Sequence, residues 1–384
     1  MNWTRLETNG VLNDFTRRTW LCIAAASCLS CAITATALTS NADSGLRWFD
    51  ARTLCLEGKG WADTRHFYDR LPARAEGVVR APVWSLSHDS AGMAVRFVTD
   101  AASIAVRWTV RKESLAMSHM PASGVSGLDM YVRQPALRGW HWLGAARPEK
   151  SVTTEKILVS GMKPGRRECR LYLPLYNGVE AVEIGVAGGK ELAPARPENV
   201  KPIVFYGTSI VQGGCASRPG MAYPAILGRR LDWPTVNLGF SGNAHSEPEV
   251  ARLIAELHAA VYVLDPLPNM TADAVAARLE PFVTTLRQAQ PGTPIILVES
   301  LEFPASEILA ETRERVNEKN KQLREIYQRL TKAGQKRIFY VPAGKLIGTD
   351  GEATVDGVHP TDLGFVRMAD ALEPVLRRAV KTGR

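Results

Sequence analysis

The chain has 384 residues, 45% of them apolar and 22% charged, a balance that excludes a disordered or fibrous protein and allows two cores. Forty-seven Lys and Arg against 39 Asp and Glu leave a formal net charge of +8. These cations are scattered, with no run of five like charges, no zinc-finger spacing and no stacking-aromatic signature, so no nucleic-acid partner is expected.

The first element in chain order is a targeting segment. Thr16-Arg17-Arg18-Thr19-Trp20-Leu21 is a twin-arginine pattern set before an uncharged stretch, Trp20 to Leu38. Small residues follow, and Ala35-Thr36-Ala37 and Ser40-Asn41-Ala42 each offer a cleavage site. Basic, apolar and small residues in that order make a signal peptide, expected over residues 1–42. The expectation is a periplasmic or secreted protein. The alternative is an uncleaved membrane anchor, disfavoured because many Ala and Thr residues make the stretch only mildly apolar. No later stretch is apolar enough to span a membrane. Beyond the segment the chain keeps Cys55, Cys169 and Cys215; an odd number leaves at least one thiol free, and whether two of them pair stays open. No C-x-x-C pair lies outside the segment, so no cysteine-based metal site is expected.

Residues 45–190 read as a β-sandwich, jelly-roll-like. Gly92 to Val98, Ser103 to Val110, Cys169 to Leu175 and Val179 to Val186 alternate or nearly alternate apolar and polar side chains, with turn residues between them. Glu191 to Lys201, with two prolines, reads as a linker. In residues 200–384 short apolar runs alternate with helical stretches. The runs are Ile203–Tyr206, Val236–Leu238, Val261–Leu264, Ile295–Val298 and Ile338–Val341. The helices fall at about Ala222–Leu231, Glu247–Leu257, Ala272–Gln290, Ser306–Ala333 and Leu363–Val380. This alternation predicts an α/β fold, a parallel sheet between two helical layers. Ligands in such folds bind at the carboxyl ends of the strands.

Four pieces of sequence lie where that edge is expected. Gly207-Thr208-Ser209-Ile210 follows the first run, so Ser209 sits on a strand-to-helix turn at the carboxyl edge of the sheet, the geometry a nucleophile needs; a serine there equally suits a helix cap. Asp356-Gly357-Val358-His359 precedes the last helix. A carboxylate three residues before a histidine can accept from its Nδ1–H and leave Nε2 free for a hydroxyl proton, although an Asp-Gly turn without chemistry reads the same way. Gly242, in Asn237-Leu238-Gly239-Phe240-Ser241-Gly242-Asn243, and Asn269, after Asp265-Pro266-Leu267-Pro268, follow the second and third runs. Their backbone N–H and side-chain amide, with the N–H of Ser209, would make an oxyanion hole.

In this order the four pieces resemble the SGNH hydrolases, or GDSL-like esterases, whose Ser, Gly, Asn and His fall on Ser209, Gly242, Asn269 and His359, with Asp356 in the D-x-x-H partner position. Thr208 stands where better-known members have Asp, and Leu267-Pro268-Asn269-Met270 replaces a G-x-N-D run. The chain is most similar to a bacterial branch with G-T-S-I-x-Q-G-G (Gly207 to Gly214), C-A-S-R-P-G (Cys215 to Gly220) and N-L-G-F-S-G-N (Asn237 to Asn243). The branch has an N-terminal β-rich domain with a G-x-D-L-Y motif, here Gly127-Leu128-Asp129-Met130-Tyr131. The resemblance runs from about Trp48 to the end. It implies a three-layer α/β/α SGNH domain after a β-sandwich, and a serine esterase with Ser209, His359 and Asp356 as its triad.

No metal or organic cofactor is expected for that chemistry. Kinship, and the lack of a long apolar lid segment, point to short acyl groups such as acetyl on a small molecule or polysaccharide. The alternatives are a lysophospholipase or thioesterase on longer chains, and a carbohydrate-binding protein with a vestigial site. His119 and His245 could also reach the site, and Arg218 either binds an anionic group or braces its loop.

Overall fold

The computed structural model describes residues 45–382, apart from the Thr382 side chain; the expected signal peptide, residues 1–42, lies outside them. Ten strands in the first half pair antiparallel: β1 (Leu46–Asp50), β2 (Cys55–Glu57), β3 (Ala94–Thr99), β4 (Ile104–Val110), β5 (Leu128–Arg133), β6 (His141–Ala146), β7 (Thr153–Val159), β8 (Arg167–Tyr172), β9 (Val179–Ala187) and β10 (Leu192–Pro194). One sheet runs β1-β9-β4-β7; the other runs β10-β3-β8-β5-β6, with β2 also on the edge of β3. Apolar side chains from both sheets, among them Phe97, Val106, Trp108, Met130, Leu171 and Ile184, bury together as a sandwich core. Two short helices, α1 (Ala81–Ser87) and α2 (Ala122–Val125), interrupt the strands. The stretch read as a linker begins as β10, which pairs Leu192–Pro194 with Thr99–Phe97 of β3.

The second half is a five-stranded parallel sheet: β11 (Ile203–Gly207), β12 (Thr235–Gly239), β13 (Val261–Asp265), β14 (Ile295–Val298) and β15 (Ile338–Val341), in the order β12-β11-β13-β14-β15. Strand side chains alternate between its faces. Val204, Tyr206, Leu238, Tyr262 and Leu264 pack with α5 (Pro248–Ala255), α6 (Ala272–Ala289) and α7 (Ala310–Lys332). Ile203, Phe205, Val261 and Val263 pack with α4 (Tyr223–Leu231) and α8 (Asp362–Thr382), beside the short α3 (Ser209–Gln212). The expected α/β/α layering is present, each strand being apolar on both sides because both are covered. Among the described residues no helix is long and apolar enough to cross a membrane.

The two halves are not independent. Trp61, Leu71, Ala75, Val79 and Val83, between β2 and β3, bury in the α5–α6–α7 core. The buried Arg70 donates to Leu86 O (2.6 Å) and Asp89 O (2.8 Å) on one side and to Gly239 O (2.6 Å), at the end of β12, on the other. Burial pulls its guanidinium down to about 10. Gly92, at φ +81°, lies directly against Asn237, where a side chain would collide. The described residues form one compact unit.

Candidate active site

The carboxyl ends of β11, β12 and β13 are in register, with Gly207 opposite Gly239 and Asp265. A side chain at Gly207 would collide with Val211 and the Asp265 carbonyl. The chain therefore turns closely there and enters α3 through Thr208, whose Oγ1 accepts from the Ile210 N–H (3.2 Å). Thr is a good N-cap, and Thr208 starts the helix in that role. Ser209, the first residue of α3, is 6% exposed, and its Oγ lies 2.8 Å from His359 Nε2.

His359 and Asp356 come on one tight loop. The Val355 N–H donates to His359 O (2.8 Å) and the Thr361 N–H to Ala353 O (2.9 Å), closing it, and Gly357 takes φ +85°. Asp356 Oδ1 accepts from the Val358 and His359 backbone N–H groups (3.0 and 2.8 Å), and Oδ2 lies 2.7 Å from His359 Nδ1. Burial pushes the Asp356 carboxyl up, but these hydrogen bonds from His359 and Val358 outweigh it and hold it down at about 2. The carboxylate thus fixes the ring with Nδ1 protonated, leaving Nε2 to accept from Ser209.

Gly242 is exposed at φ +67°, with open space where a side chain would stand. Asn269 Oδ1 accepts from the Ala244 N–H (3.3 Å), which turns the amide NH2 away from that bond; among the described residues the NH2 has no acceptor. The structure thus joins Ser209, His359 and Asp356 by hydrogen bonds, and puts Asn269 beside the Gly242 loop.

Other residues support the site and were not singled out from sequence. Gln212 donates to Leu175 O (3.0 Å) and Asp89 Oδ2 (3.2 Å) and accepts from the Ser241 N–H (3.0 Å), tying α3 to the β-rich half and to the Gly242 loop. Tyr176 OH donates to Ser209 O (3.3 Å). Gln212 lies within the G-T-S-I-x-Q-G-G string, the one signal that could have marked it.

The G-x-D-L-Y motif acts at a distance from Ser209. The buried Asp129 accepts from the Gly220 N–H (2.8 Å), Trp142 Nε1 (2.9 Å) and Arg218 (2.7 Å). Arg218 also donates to Tyr131 OH (2.6 Å), which assigns it the bracing alternative. His245 lies 3.8 Å from Glu247. The His119 ring lies 5.6 Å from that of His359, centroid to centroid, without bonding to any of the three. Among the described residues Cys55, Cys169 and Cys215 are all unpaired. One atom each from His119, Cys215, Asp356 and His359 lie within 4.8 Å of one another, the one group among the described residues with the donors for a metal ion.

Residues 200–377 match the GDSL-like lipase/acylhydrolase family, and residues 46–192 match the N-terminal domain of SGNH-hydrolase-type esterases, with its GxDLY motif. Among solved structures, a GDSL-like lipase from Bacteroides ovatus is 35% identical over 88% of this chain and 98% of its own, with a TM-score of 0.83. The salicylyl-acyltransferase SsfX3 of a tetracycline biosynthetic pathway is 20% identical over 88% and 97%, TM-score 0.70. An acetyl xylan esterase from Butyrivibrio proteoclasticus is 12% identical over 88% and 99%, TM-score 0.54; these last two share the fold. No curated protein matches the chain. Family, fold and both domain matches agree, and the chain belongs to the GDSL-like lipase/acylhydrolase family as a carboxylic ester hydrolase.

Proposed function

We propose that the protein is a serine esterase that removes short acyl groups, acetyl foremost, from carbohydrate through an acyl-enzyme. The observation that carries this reading is the continuous line from Ser209 Oγ through His359 to Asp356, at 2.8 and 2.7 Å. Ser209 attacks the ester carbonyl while His359 Nε2 takes its proton. The tetrahedral oxyanion is met by the N–H groups of Ser209 and Gly242 and by the free NH2 of Asn269. His359 then passes the proton to the departing alcohol, and Asp356 stabilises the imidazolium in between. Water activated by the same histidine hydrolyses the acyl-enzyme. An acylated polysaccharide or small sugar is the substrate class in view, and the fold is shared with an acetyl xylan esterase.

One feature bears on a second reading, longer acyl chains. A cavity of about 420 Å³ opens beside Asp356; Pro268, Phe303, Val316 and Val358 give it an apolar wall, and Arg315 and Lys319 a cationic one.

The test is hydrolysis of p-nitrophenyl acetate and octanoate by wild type and Ser209→Ala. Acetate should turn over faster, and the variant should lose at least about 10³-fold in kcat with its fold intact. Preference for octanoate would favour the second reading. Undiminished turnover in Ser209→Ala would overturn the mechanism, and no turnover of either ester or of acetylated xylan would point to a binding protein with a vestigial site.

A further inference from the structure

We propose that His119, Cys215, Asp356 and His359 form a binding site for a zinc-class divalent cation, and that occupancy switches the esterase off. The inference rests on the reading of Ser209, His359 and Asp356 as the triad.

The four donors come from three segments, and their ligand atoms lie within 4.8 Å of one another. Nitrogen and thiolate ligands of tetrahedral zinc, at about 2.0–2.3 Å from the ion, stand roughly 3.3–3.7 Å apart, so closure needs side-chain shifts of about 1 Å. Imidazole, thiolate and carboxylate together are the donor set of zinc and not of magnesium or calcium.

Two of the donors are unoccupied. Among the described residues, neither the His119 ring nor the buried Cys215 thiol makes a hydrogen bond. Both are firmly mounted. The Met117 and Met120 backbones exchange hydrogen bonds of 3.0 and 3.1 Å around the turn that carries His119. Cys215, at φ +69°, begins a loop held to α2 by Ser123 Oγ, which donates to Ser217 O (2.7 Å), and by Gly124, whose missing side chain lets the Ala216 carbonyl approach. Sequence spacing could not show this site, since His119 lies 96 residues before Cys215, on the other half of the chain.

The other two donors are committed elsewhere. Both ring nitrogens of His359 are engaged, one with Ser209 and one with Asp356. A cation that takes either nitrogen breaks a bond of the triad, and the thiol proton of Cys215 leaves to solvent. Zinc and catalysis are therefore mutually exclusive, and inhibition is reversible by chelation.

The experiment titrates Zn2+ against ester hydrolysis by wild type, Cys215→Ser and His119→Gln, and records absorption spectra of each with Co2+. Wild type should be inhibited and restored by EDTA. Each variant should hydrolyse ester normally without metal and need at least about tenfold more zinc for the same inhibition. Co2+ should give a thiolate charge-transfer band in wild type that is absent in Cys215→Ser. Equal zinc sensitivity in all three proteins, no inhibition at all, or no thiolate band would each overturn the proposal. Should wild type hydrolyse no ester, the triad reading fails, and the cobalt spectrum still decides the metal site by itself.

Discussion

Among the described residues the amide of Asn269 has a single partner, the Ala244 N–H at its oxygen, and this bond determines which way its NH2 faces. On the proposed mechanism its task is to meet an oxyanion, and such a group contributes little until the oxyanion exists. Asn269→Ala should therefore lower kcat by about 10²–10³-fold with KM nearly unchanged. Steady-state kinetics on an acetyl ester checks this; a rise in KM with kcat intact would assign Asn269 to ground-state binding. Ser209, Asp356 and His359 were legible in the sequence because each is placed by its immediate neighbours: a strand end and a cap for the serine, a four-residue turn for the pair. Gln212 and Tyr176 were not. Their work depends on Leu175, Asp89 and Ser241 for Gln212 and on the Ser209 carbonyl for Tyr176, all far off in the chain.

At the scale of the element, β13 ends on a carboxyl that the proposed mechanism does not use. Asp265 is 2% exposed, and among the described residues the one hydrogen-bond partner of its carboxyl is Tyr223 OH at 3.1 Å. Burial pushes it up to about 8, opposed only by that hydrogen bond. The sign follows from proton counts. Between about pH 4 and about pH 8 the unfolded chain has released this proton and the folded one still holds it, so stability falls as pH rises through that window and levels off above it. Asp265→Asn keeps the acceptor for Tyr223 and removes the titration. Melting temperatures from about pH 5 to about pH 8 should decline less steeply in the variant than in wild type, and equal slopes would show Asp265 to be ionised in the native protein. The parallel strands and their helices were legible because burial on both faces turns each strand into an apolar run. In the first half β1, β2, β5, β6 and β7 were not read as strands. The outer β7 alternates exposed and half-buried positions without a buried one, and β5 is buried almost throughout.

For the whole molecule, the sequence suggests a boundary near residue 200, and the two family matches also meet between residues 192 and 200. Packing does not stop there. Trp61, Leu71, Val79 and Val83 are buried against α5, α6 and α7. Each such side chain is worth about 1.5–3 kcal/mol, so losing the four forfeits about 6–12 kcal/mol, comparable to the entire stability of an ordinary domain. A fragment of residues 200–384 should bind ANS and lack a near-UV circular dichroism signal, whereas residues 45–384 should melt in one transition. A fragment with native near-UV signal would refute this. This dependence was illegible in the sequence because residues 61–83 carry no strong periodic pattern and meet their partners well over a hundred residues later.

Arg70 extends that dependence into time. Its guanidinium reaches the carbonyls of Leu86 and Asp89 within its own neighbourhood, and that of Gly239 only after 169 further residues have been made. The charge cannot be sealed from water until its last acceptors arrive, because a buried cation without them is too costly. The early segment must therefore wait, loosely held, for β12, and the entropy of closing so long a loop falls on the folding barrier. Synthesis of the first half alone leaves this arginine hydrated and its apolar neighbours exposed, an interval in which a chaperone has something to hold.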